Sequence, residues 1–310
     1  MGGYLIHVAI GNMNLDLYIV VDKLPDIDGA LRAKKMYMGL GGAASNYAVA
    51  VARIKHRVKL VVHTGELIEF MGLLGKLRDE GIELDRVEVH RGELPGIVVV
   101  FLLPGGHRAM VSIPGANRFL TGVEVGGLKA DILHLASVST GVLEKASSTS
   151  EAGVVSYDPG GAIASSEGGL VVVSARSFCD ILSLNRVEFR YVAGREASID
   201  AAKSLLGGRL SKVLVKLGSE GAILVTRDRA YRVEAYSAGR VVDTTGAGDV
   251  FDAVLNSYLL REGDIEYALQ AASVAAGIKV SRPGAQSAPT REEVEKVLSE
   301  KPPAVYRYSI

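Results

Sequence analysis

The segment Asp243–Asp249, with the sequence DTTGAGD, combines a glycine-rich turn with a carboxylate at each end. A turn of this type brings backbone N–H groups toward an anion, as phosphate-binding loops do. In a P-loop the glycines are followed by a lysine, whereas this segment ends in Asp249. The carboxylate therefore needs a role other than holding the phosphates of a donor nucleotide.

The neighbouring residues predict that this segment lies at the start of a helix. A strand-like stretch, GRVVD, leads into it, and a helical pattern follows from about Gly248. Gly246, Ala247 and Gly248 would then present free N–H groups and the positive end of the helix dipole, which together form an anion hole. Asp249 is either an ordinary cap of this helix or a general base that takes a proton from an acceptor hydroxyl during phosphoryl transfer. The segment alone leaves both interpretations open.

Alternating strands and helices in the C-terminal part of the chain predict the scaffold for this site. Continuous apolar strands that alternate with helices indicate a parallel sheet covered on both faces. We therefore predict a doubly wound, mostly parallel α/β sheet with helices on both faces. The predicted elements are strands at Ala130–Ala136, Gly153–Gly160, Cys179–Asn185 and Lys212–Gly218, an antiparallel pair within 221–237, helices at 248–263, 265–282 and 290–300, and a tail at 301–310.

The N-terminal part predicts an addition to this scaffold. Two segments, about 12–40 and 95–114, have the mixed pattern of a small sheet exposed on one face, and the second contains a hairpin turn at Pro104-Gly105-Gly106. We predict that they form a β-sheet lid on a single domain comprising residues 1–310. The remaining predicted elements are strands at Tyr4–Ile10 and Arg57–Gly65 and helices at Ala43–Ile54 and Glu69–Ile82.

Composition excludes several classes of function. Lysine plus arginine and aspartate plus glutamate both number 35 in this chain of 310 residues, so no basic excess favours nucleic acid or an anionic membrane. No apolar run reaches the roughly 20 residues that span a bilayer, and the N-terminus lacks the basic region of a signal peptide. The single cysteine, Cys179, lies in an apolar stretch and is predicted to be a buried thiol. A cytoplasmic enzyme is expected.

Several motifs resemble one family in the order in which they occur. DTTGAGDVFDA resembles the C-terminal signature of the ribokinase-like (PfkB) carbohydrate and nucleoside kinases, and GGAASNYAVAVARI resembles their N-terminal signature. The further matching pieces are GNMNLD, PGAN, DPG, LNRVE, KLGSEG and RPGAQ. The resemblance covers nearly the whole chain and implies an enzyme that transfers a phosphoryl group from ATP with Mg²⁺, and in many members with K⁺. Among these kinases, the chain looks most like the archaeal nucleoside kinases.

The resemblance also implies roles for individual residues. Asp249 would be the base, the turn Gly246–Gly248 the anion hole, and Asp243 and Thr245 the binding site of a monovalent cation. Asn185 and Glu188 would organise the magnesium–phosphate network through water, although a glutamate at a helix start is also an ordinary stabilising charge. Lys216, Gly218 and Gly221 would border the nucleotide, with a solvated strand-end lysine as the other interpretation. The acceptor would be held by Asn14, Asp16, Gly41, Gly42 and Asn46.

The acceptor itself is less well determined. A nucleoside is favoured, and a 6-phosphofructokinase or a ribokinase-type enzyme is the alternative. A phosphorylated sugar needs a cationic anchor, for which the lid offers Arg32, Lys34, Lys35 and Arg108, all of which are otherwise solvated charges. Two positions depart from the family's pattern. Ser137, or a neighbour, stands where ribokinases have a glutamate, which disfavours free ribose, and Pro95-Gly96 replaces the usual Thr-Gly before a lid strand.

Parts of the sequence are compatible with two other functions. GLGGAA at Gly39–Ala44 fits the dinucleotide-binding pattern of a dehydrogenase. It follows a charged lid segment instead of the first buried strand, which disfavours a dehydrogenase. A non-catalytic sugar- or nucleotide-binding regulator on the same fold is the second, and the intact Asp249 argues against it. Finally, the resemblance implies a homodimer, because members of this family often pair their lids. The outer lid face would carry Leu17, Ile19, Val99 and Phe101 or their alternates.

Overall fold

The computed structural model describes residues 4–104 and 108–310, which form a ten-stranded sheet, a separate four-stranded sheet and the helices packed on them. The strands are β1 (Ile6–Gly11), β2 (Asn14–Val20), β3 (Lys35–Gly41), β4 (Arg57–Gly65), β5 (Glu83–His90), β6 (Gly96–Leu102), β7 (Arg108–Ile113), β8 (Lys129–Ala136), β9 (Glu151–Asp158), β10 (Ile181–Asn185), β11 (Lys212–Lys216), β12 (Ala222–Val225), β13 (Arg229–Val233) and β14 (Val305–Ser309). The helices are α1 (Ala43–Arg53), α2 (Glu66–Phe70), α3 (Leu73–Asp79), α4 (Thr140–Thr149), α5 (Gly160–Glu167), α6 (Leu170–Phe178), α7 (Arg186–Ala193), α8 (Ile199–Lys203), α9 (Ala247–Glu262), α10 (Ile265–Val280) and α11 (Arg291–Glu300).

The large sheet has the order β14-β13-β12-β11-β10-β9-β8-β1-β4-β5. The strands from β5 to β11 are parallel to their neighbours, and β12, β13 and β14 are antiparallel. From β1 the chain proceeds to β4 on one side and later to β8 on the other, so the order reverses at β1. In open α/β sheets such a reversal places the ligand crevice at the carboxyl ends of the strands. The predicted doubly wound, mostly parallel fold is confirmed.

Side chains of the central strands enter cores on both faces of the sheet. Along β1, Ala9 faces the core shared with α1, α9 and α10, whereas Val8 and Ile10 face the core shared with α4 to α7. Burial on both faces explains why these strands read as continuous apolar runs. Cys179 is buried in the second core, and burial raises the pKa of its thiol, so it is the inert thiol that the sequence predicted.

The small sheet has the order β3-β2-β6-β7 and covers the carboxyl edge next to β1. β2 pairs parallel with β6, and β6 pairs antiparallel with β7. The turn predicted at Pro104-Gly105-Gly106 lies largely outside the described residues, which resume at Arg108. The glycines of GLGGAA join β3, a strand of this small sheet, to α1, so they do not follow a strand of the parallel sheet as a dinucleotide-binding turn would.

Three sequence predictions are wrong in detail, and one strand was not predicted. The predicted tail forms β14, which pairs with β13 over five residues. Two prolines precede this strand, and prolines are typical of a segment without regular structure. The predicted helix Glu69–Ile82 is instead the two helices α2 and α3, because Gly72 adopts φ 68° between them. The strand β5 was not predicted, since its charged side chains break the apolar run. The stretch GRVVD forms no strand and is held by Val242 and Asp243, whose N–H groups both donate to the Val280 carbonyl.

No helix among the described residues is long and apolar enough to cross a membrane.

Candidate active site

The helix α9 begins as the sequence predicted, at the glycine-rich turn. Gly246 is the N-cap in the left-handed region, with φ 78°, and no side chain of residues 4–104 and 108–310 caps the helix. A Cβ atom on Gly246 would lie 2.6 Å from the Ala285 carbonyl oxygen, so only glycine fits there. The Ala247 N–H donates to the Thr244 carbonyl at 3.3 Å, so among the described residues the first-turn N–H groups left for an anion are those of Gly248 and Asp249, and the dipole of this helix of 16 residues favours an anion there.

Asp249 lies in the first turn of α9 but does not cap it. Its Oδ2 atom accepts a hydrogen bond from Asn46 Nδ2 at 2.8 Å, which joins α9 to α1. Burial raises the pKa of Asp249 to about 6, even though the hydrogen bond from Asn46 and the charges of Lys216 and Lys279 lower it. A carboxylate with a pKa near the working pH, beside an anion-binding helix start, is suited to accept a proton.

A second carboxylate, Asp16, faces the same crevice from β2. It is 3% exposed, and its Oδ2 atom accepts a hydrogen bond from Tyr18 at 3.3 Å. Burial raises the pKa of Asp16 to about 7, and the charges of Asp243 and Asp249 raise it further. Gly41 provides the room for this side chain, because a Cβ atom there would lie 2.1 Å from Asp16 Oδ2.

Within the described part of the chain, two oxygen atoms in this crevice are buried without a hydrogen-bond donor: Asp16 Oδ1 and Asn46 Oδ1. Buried acceptors are nearly always satisfied in folded proteins, and leaving one unpaired costs about 1–3 kcal/mol. The amide oxygen of Asn46 and, in its ionised form, the Asp16 carboxylate only accept hydrogen bonds, so both atoms suit donors such as the hydroxyl groups of a sugar. Gly42 lies next to these residues, and only glycine fits there. Its φ is 93°, and a Cβ atom would contact the backbone of Asn12 and Met13.

Asn14 is held beside this pair by a third amide. Asn117 Nδ2 donates to Asn14 Oδ1 at 2.8 Å, while Asn117 Oδ1 accepts from the Met13 N–H. A Cβ atom on Gly96 would lie 2.1 Å from Asn117 Nδ2, which explains the glycine of the unusual Pro95-Gly96 pair. The PGAN motif thus acts from behind the site, by fixing the side chain of Asn14.

On the other side of Asp249 the charges are paired. Lys216 Nζ lies 2.7 Å from an oxygen of Asp158 and 2.7 Å from an oxygen of Asp252. It also lies 3.2 Å from the position that a Cβ atom on Gly248 would take, so the ammonium group borders the anion-binding turn. Burial lowers the pKa of Lys216, but Asp158, Asp252 and Glu188 raise it well above its ordinary value. The lysine is thus neither solvated nor neutral.

Glu188 and Asn185 form the start of α7. The Asn185 side chain accepts from the N–H groups of Val187 and Glu188, and Glu188 Oε2 accepts from the Asn185 N–H at 2.7 Å, which is a capping box. Burial raises the pKa of Glu188 to about 8, with the charge of Asp158 adding to the effect. The hard oxygen atoms of the Glu188 and Asp158 carboxylates fit a magnesium ion held through water.

The two predicted cation ligands, Asp243 and Thr245, lie in the loop before α9. Asp243 Oδ1 accepts from the Thr245 N–H at 2.9 Å, and Oδ2 accepts from the Gly284 N–H at 3.0 Å. The backbone oxygen of Asp243 accepts from Lys279 Nζ at 2.7 Å. An ammonium group therefore already lies on a backbone oxygen of the loop where the resemblance predicts potassium, and a potassium site at Asp243 and Thr245 remains a prediction.

The two glycines predicted to border the nucleotide lie in the turn after β11. Gly221 adopts φ 85°, and a Cβ atom on it would lie 1.8 Å from the Val233 carbonyl oxygen, so packing alone requires glycine. Gly218 adopts φ 65° and faces open space. A nucleotide role for both residues remains a prediction.

Sequence reasoning missed Asp252 and Lys279. Asp252 lies one helical turn after Asp249 and is 1% exposed, and its Oδ1 atom accepts from the Ser183 hydroxyl at 2.7 Å. Lys279 is fully buried near the end of the apolar helix α10. Its signal in the sequence is a lysine within the run AASVAAGIKV, because lysine is almost never fully buried unless it is paired.

A doubly wound α/β sheet, a β-sheet above its carboxyl edge and an anion-binding helix start beside buried carboxylates define the class of protein, an α/β phosphotransferase. The description "pfkB family carbohydrate kinase" matches residues 7–291, and the chain belongs to this family. The predicted family and enzyme class are confirmed: the chain is a ribokinase-like kinase of sugars or nucleosides.

Individual relatives cover the chain almost completely. An ATP-dependent ribose-1-phosphate kinase of Halopiger xanaduensis is 30% identical over 95% of this chain and 98% of its own length. The structure of Arabidopsis thaliana ribokinase, solved with ribose and ATP, is 27% identical with a TM-score of 0.79 over 96% of this chain and 99% of that one. The nucleoside kinase of Methanocaldococcus jannaschii shares the fold, with a TM-score of 0.84 at 21% identity over 97% of this chain and 100% of that one.

Proposed function

We propose that the chain is an ATP-dependent kinase that phosphorylates the hydroxymethyl group of a ribofuranosyl compound, with a nucleoside as the favoured acceptor. The observation that carries the proposal is the pair of unpartnered acceptors, Asp16 Oδ1 and Asn46 Oδ1, next to Asp249. The two ring hydroxyls of a ribose would satisfy both oxygen atoms. The hydroxymethyl group would then extend toward Asp249 and the start of α9.

In the proposed reaction, Asp249 takes the proton of the hydroxymethyl group of the acceptor. At the same time the hydroxymethyl oxygen forms a bond to the terminal phosphorus of ATP. The bond from that phosphorus to the bridging oxygen breaks, and the electron pair stays on ADP. The N–H groups at Gly246–Gly248 and the ammonium group of Lys216 stabilise the negative charge of the phosphoryl group in transfer. A magnesium ion held through water at Glu188 would neutralise the remaining phosphate charge.

The inner face of the lid supports a nucleoside. Tyr18 and Tyr37 are opposite each other on β2 and β3, and their rings stack with centroids 4.8 Å apart. Met110 lies on the same face of β7, opposite Val100, and is 54% exposed. Stacked aromatic rings on one side of this face and an exposed methionine on the other side of Val100 are suitable contacts for a nucleobase.

A phosphorylated ribose is the second candidate, and Arg108 supports it. This residue lies on the inner face of the lid and Arg108 Nη1 donates to Thr245 Oγ1 at 3.3 Å, so its guanidinium group reaches the acceptor crevice. The other lid cations do not have this contact: Lys34 pairs with Asp22 on the surface, and Lys35 lies over the Tyr37 ring. The match to a ribose-1-phosphate kinase supports the same candidate.

An acceptor screen tests both candidates. The purified chain is assayed with ATP and with ADP as donors against nucleosides, ribose, ribose 1-phosphate, fructose 6-phosphate and 2-keto-3-deoxygluconate. We expect nucleosides to give the highest kcat/KM, and Tyr37→Ala to lower it more than Arg108→Gln does. The opposite order of the two variants, with ribose 1-phosphate as the best acceptor, would establish the second candidate. Absence of phosphorylation with every acceptor would refute the proposed function.

The outer face of the lid supports the proposed homodimer. Two rows of apolar side chains cross the four strands: Met38, Leu17, Val99 and Val111, and next to them Met36, Ile19, Phe101 and Ala109. Several of these side chains are at least half exposed, among them Met36 at 58% and Val111 at 55%. A continuous apolar sheet face of this kind marks an interaction surface. Sedimentation velocity should show a dimer that Val99→Glu dissociates and Val173→Glu, a control on α6, does not; a monomeric wild-type chain would refute the dimer.

A further inference from the structure

Lys279 is a buried cation without a carboxylate partner. It is fully buried in the last turn of α10, and among residues 4–104 and 108–310 its ammonium group forms no salt bridge. Burying a charge is costly unless it is paired or strongly hydrogen-bonded, so an unpaired lysine at such a position requires a function.

The ammonium group is bound by the loop that precedes the anion-binding turn. It donates to the backbone oxygen of Asp243 at 2.7 Å, and the same stretch of chain is fastened to the end of α10 by the N–H groups of Val242 and Asp243, which donate to the Val280 carbonyl. The Asp243 carboxylate in turn accepts from the N–H groups of Thr245 and Gly284. Lys279 is therefore part of the support that sets the position of the loop leading to Gly246.

The ammonium group also lies in the electrostatic field of the reacting groups. The charges that act on it are Asp243 and Asp249, which favour its charged form, and Arg108 on the lid, which opposes it. Burial outweighs the two carboxylates and lowers the pKa of Lys279 to about 8. Oxygen coordination by a backbone carbonyl, next to carboxylates, in a dry environment is the setting in which a protein holds a monovalent metal ion.

We infer that the ammonium group of Lys279 is a cation built into this chain at the place where the resemblance predicted potassium, so that phosphoryl transfer here needs no monovalent metal ion. An ammonium group carries the same single charge as potassium and has three donors for oxygen atoms, of which the Asp243 carbonyl takes one. It keeps the loop before α9 in position and adds positive charge beside the phosphoryl group in transfer. Lys279 is thus a positioning residue that acts through the loop at Asp243–Gly246.

The inference rests on the proposed kinase function, and its test has one part that needs no acceptor. In the first part, wild-type chain and Lys279→Met are assayed with the acceptor found by the screen in tetramethylammonium, sodium or potassium chloride of equal ionic strength. We expect the wild-type kcat to be the same in all three salts. Lys279→Met should lose about tenfold or more in tetramethylammonium chloride and regain most of that loss in potassium chloride only.

The second part measures thermal unfolding in the same salts. A bound ion stabilises the folded state, so Lys279→Met should unfold at a higher temperature in potassium than in sodium chloride, whereas the wild-type chain should show no such difference. Lys55→Met, which removes an exposed lysine that pairs with Glu292, is the matched control and should behave as the wild-type chain does in both parts.

Two results would overturn the inference. Potassium-dependent activity or potassium-specific stabilisation of the wild-type chain would show that an ion still binds there. Equal activity of Lys279→Met in all three salts would show that the ammonium group has no such role. If Lys279→Met does not fold, the salt dependence of the wild-type chain decides by itself. If the chain phosphorylates no acceptor, the unfolding temperatures can still be measured. Failure of the kinase proposal is thus distinguished from failure of the inference about Lys279.

Discussion

The two sides of Asp249 differ in how their charged and polar groups are satisfied. On the acceptor side, Asp16 and Asn46 each keep one buried oxygen without a donor. On the phosphate side, Lys216 is bonded to both Asp158 and Asp252, and Asp252 also accepts from Ser183. Unpaired acceptors discriminate strongly, since only a ligand with donors at the right places removes their cost. A network that is already paired keeps its geometry in the absence of a ligand, and under the proposed function it would serve the phosphate group that all nucleotide donors share.

The substitution Asp249→Asn should have the largest effect, because it removes the proton acceptor between the two sides. An amide of the same shape can still accept a hydrogen bond from Asn46, so the fold should persist. We expect kcat to fall by about 10²–10⁴-fold with little change in the KM for either substrate. Steady-state kinetics with the best acceptor, together with circular dichroism, test this; turnover close to that of the wild type would refute the assignment of the base.

On the phosphate side, Lys216→Met should cause the largest loss of stability. It leaves Asp158 and Asp252 buried without their counter-ion, and the loss of one partner of a buried charged network costs about 3–5 kcal/mol. Denaturant unfolding at pH 7.5 measures this. Lys129→Met, which breaks an exposed pair with Glu151, should leave the midpoint unchanged. Equal midpoints for the two variants would show that the network is not paired as described.

On the acceptor side, Asp16→Asn should lower activity and raise stability together. Loss of the charged acceptor should reduce kcat/KM for the acceptor by about 10–100-fold, since hydrogen bonds to charged groups contribute about 1.5–3 kcal/mol. Because burial raises the pKa of Asp16 to about 7, the unfolded chain loses this proton before the folded chain does, and stability falls as the pH rises from about 4 to about 7. The variant should therefore be about 1–3 kcal/mol more stable than the wild type at pH 8 and equal to it at pH 4. Lower stability at pH 8 would contradict this account of the acceptor side.

The pH dependence should show the smallest effect. Asp249 must be ionised to accept a proton, and its pKa is raised by burial to about 6, so kcat/KM should increase as the pH rises through that value. Asp16, with a pKa of about 7, should add a second step, which is absent in Asp16→Asn. Profiles of kcat/KM from pH 5 to 8.5 test both statements. If activity decreases over this range, the ionised form of Asp249 is not the active one.

Much of the fold and of the site was predictable because the signals are local. The turn before α9, the apolar strands and the motifs that match the family are all short stretches whose residues determine their own conformation. The wrong predictions concern pairings over long distances. β14 is a strand because it pairs with β13 at the edge of the sheet. β5 has charged side chains and belongs to the parallel sheet because it pairs with β4. Asp252 and Lys279 were missed for the same reason, since their partners are distant in the sequence.

The sequence by itself determined the family, the alternation of strands and helices, and the presence of a carboxylate at an anion-binding helix start. Only the tertiary structure decided which groups are paired. It left Asp16 Oδ1 and Asn46 Oδ1 without donors, bonded Lys216 to two aspartates and buried Lys279 against the Asp243 carbonyl. The physical reason is that the cost of a buried charge, and the pKa that results, depend on which atoms surround it, and those atoms come from distant segments of the chain.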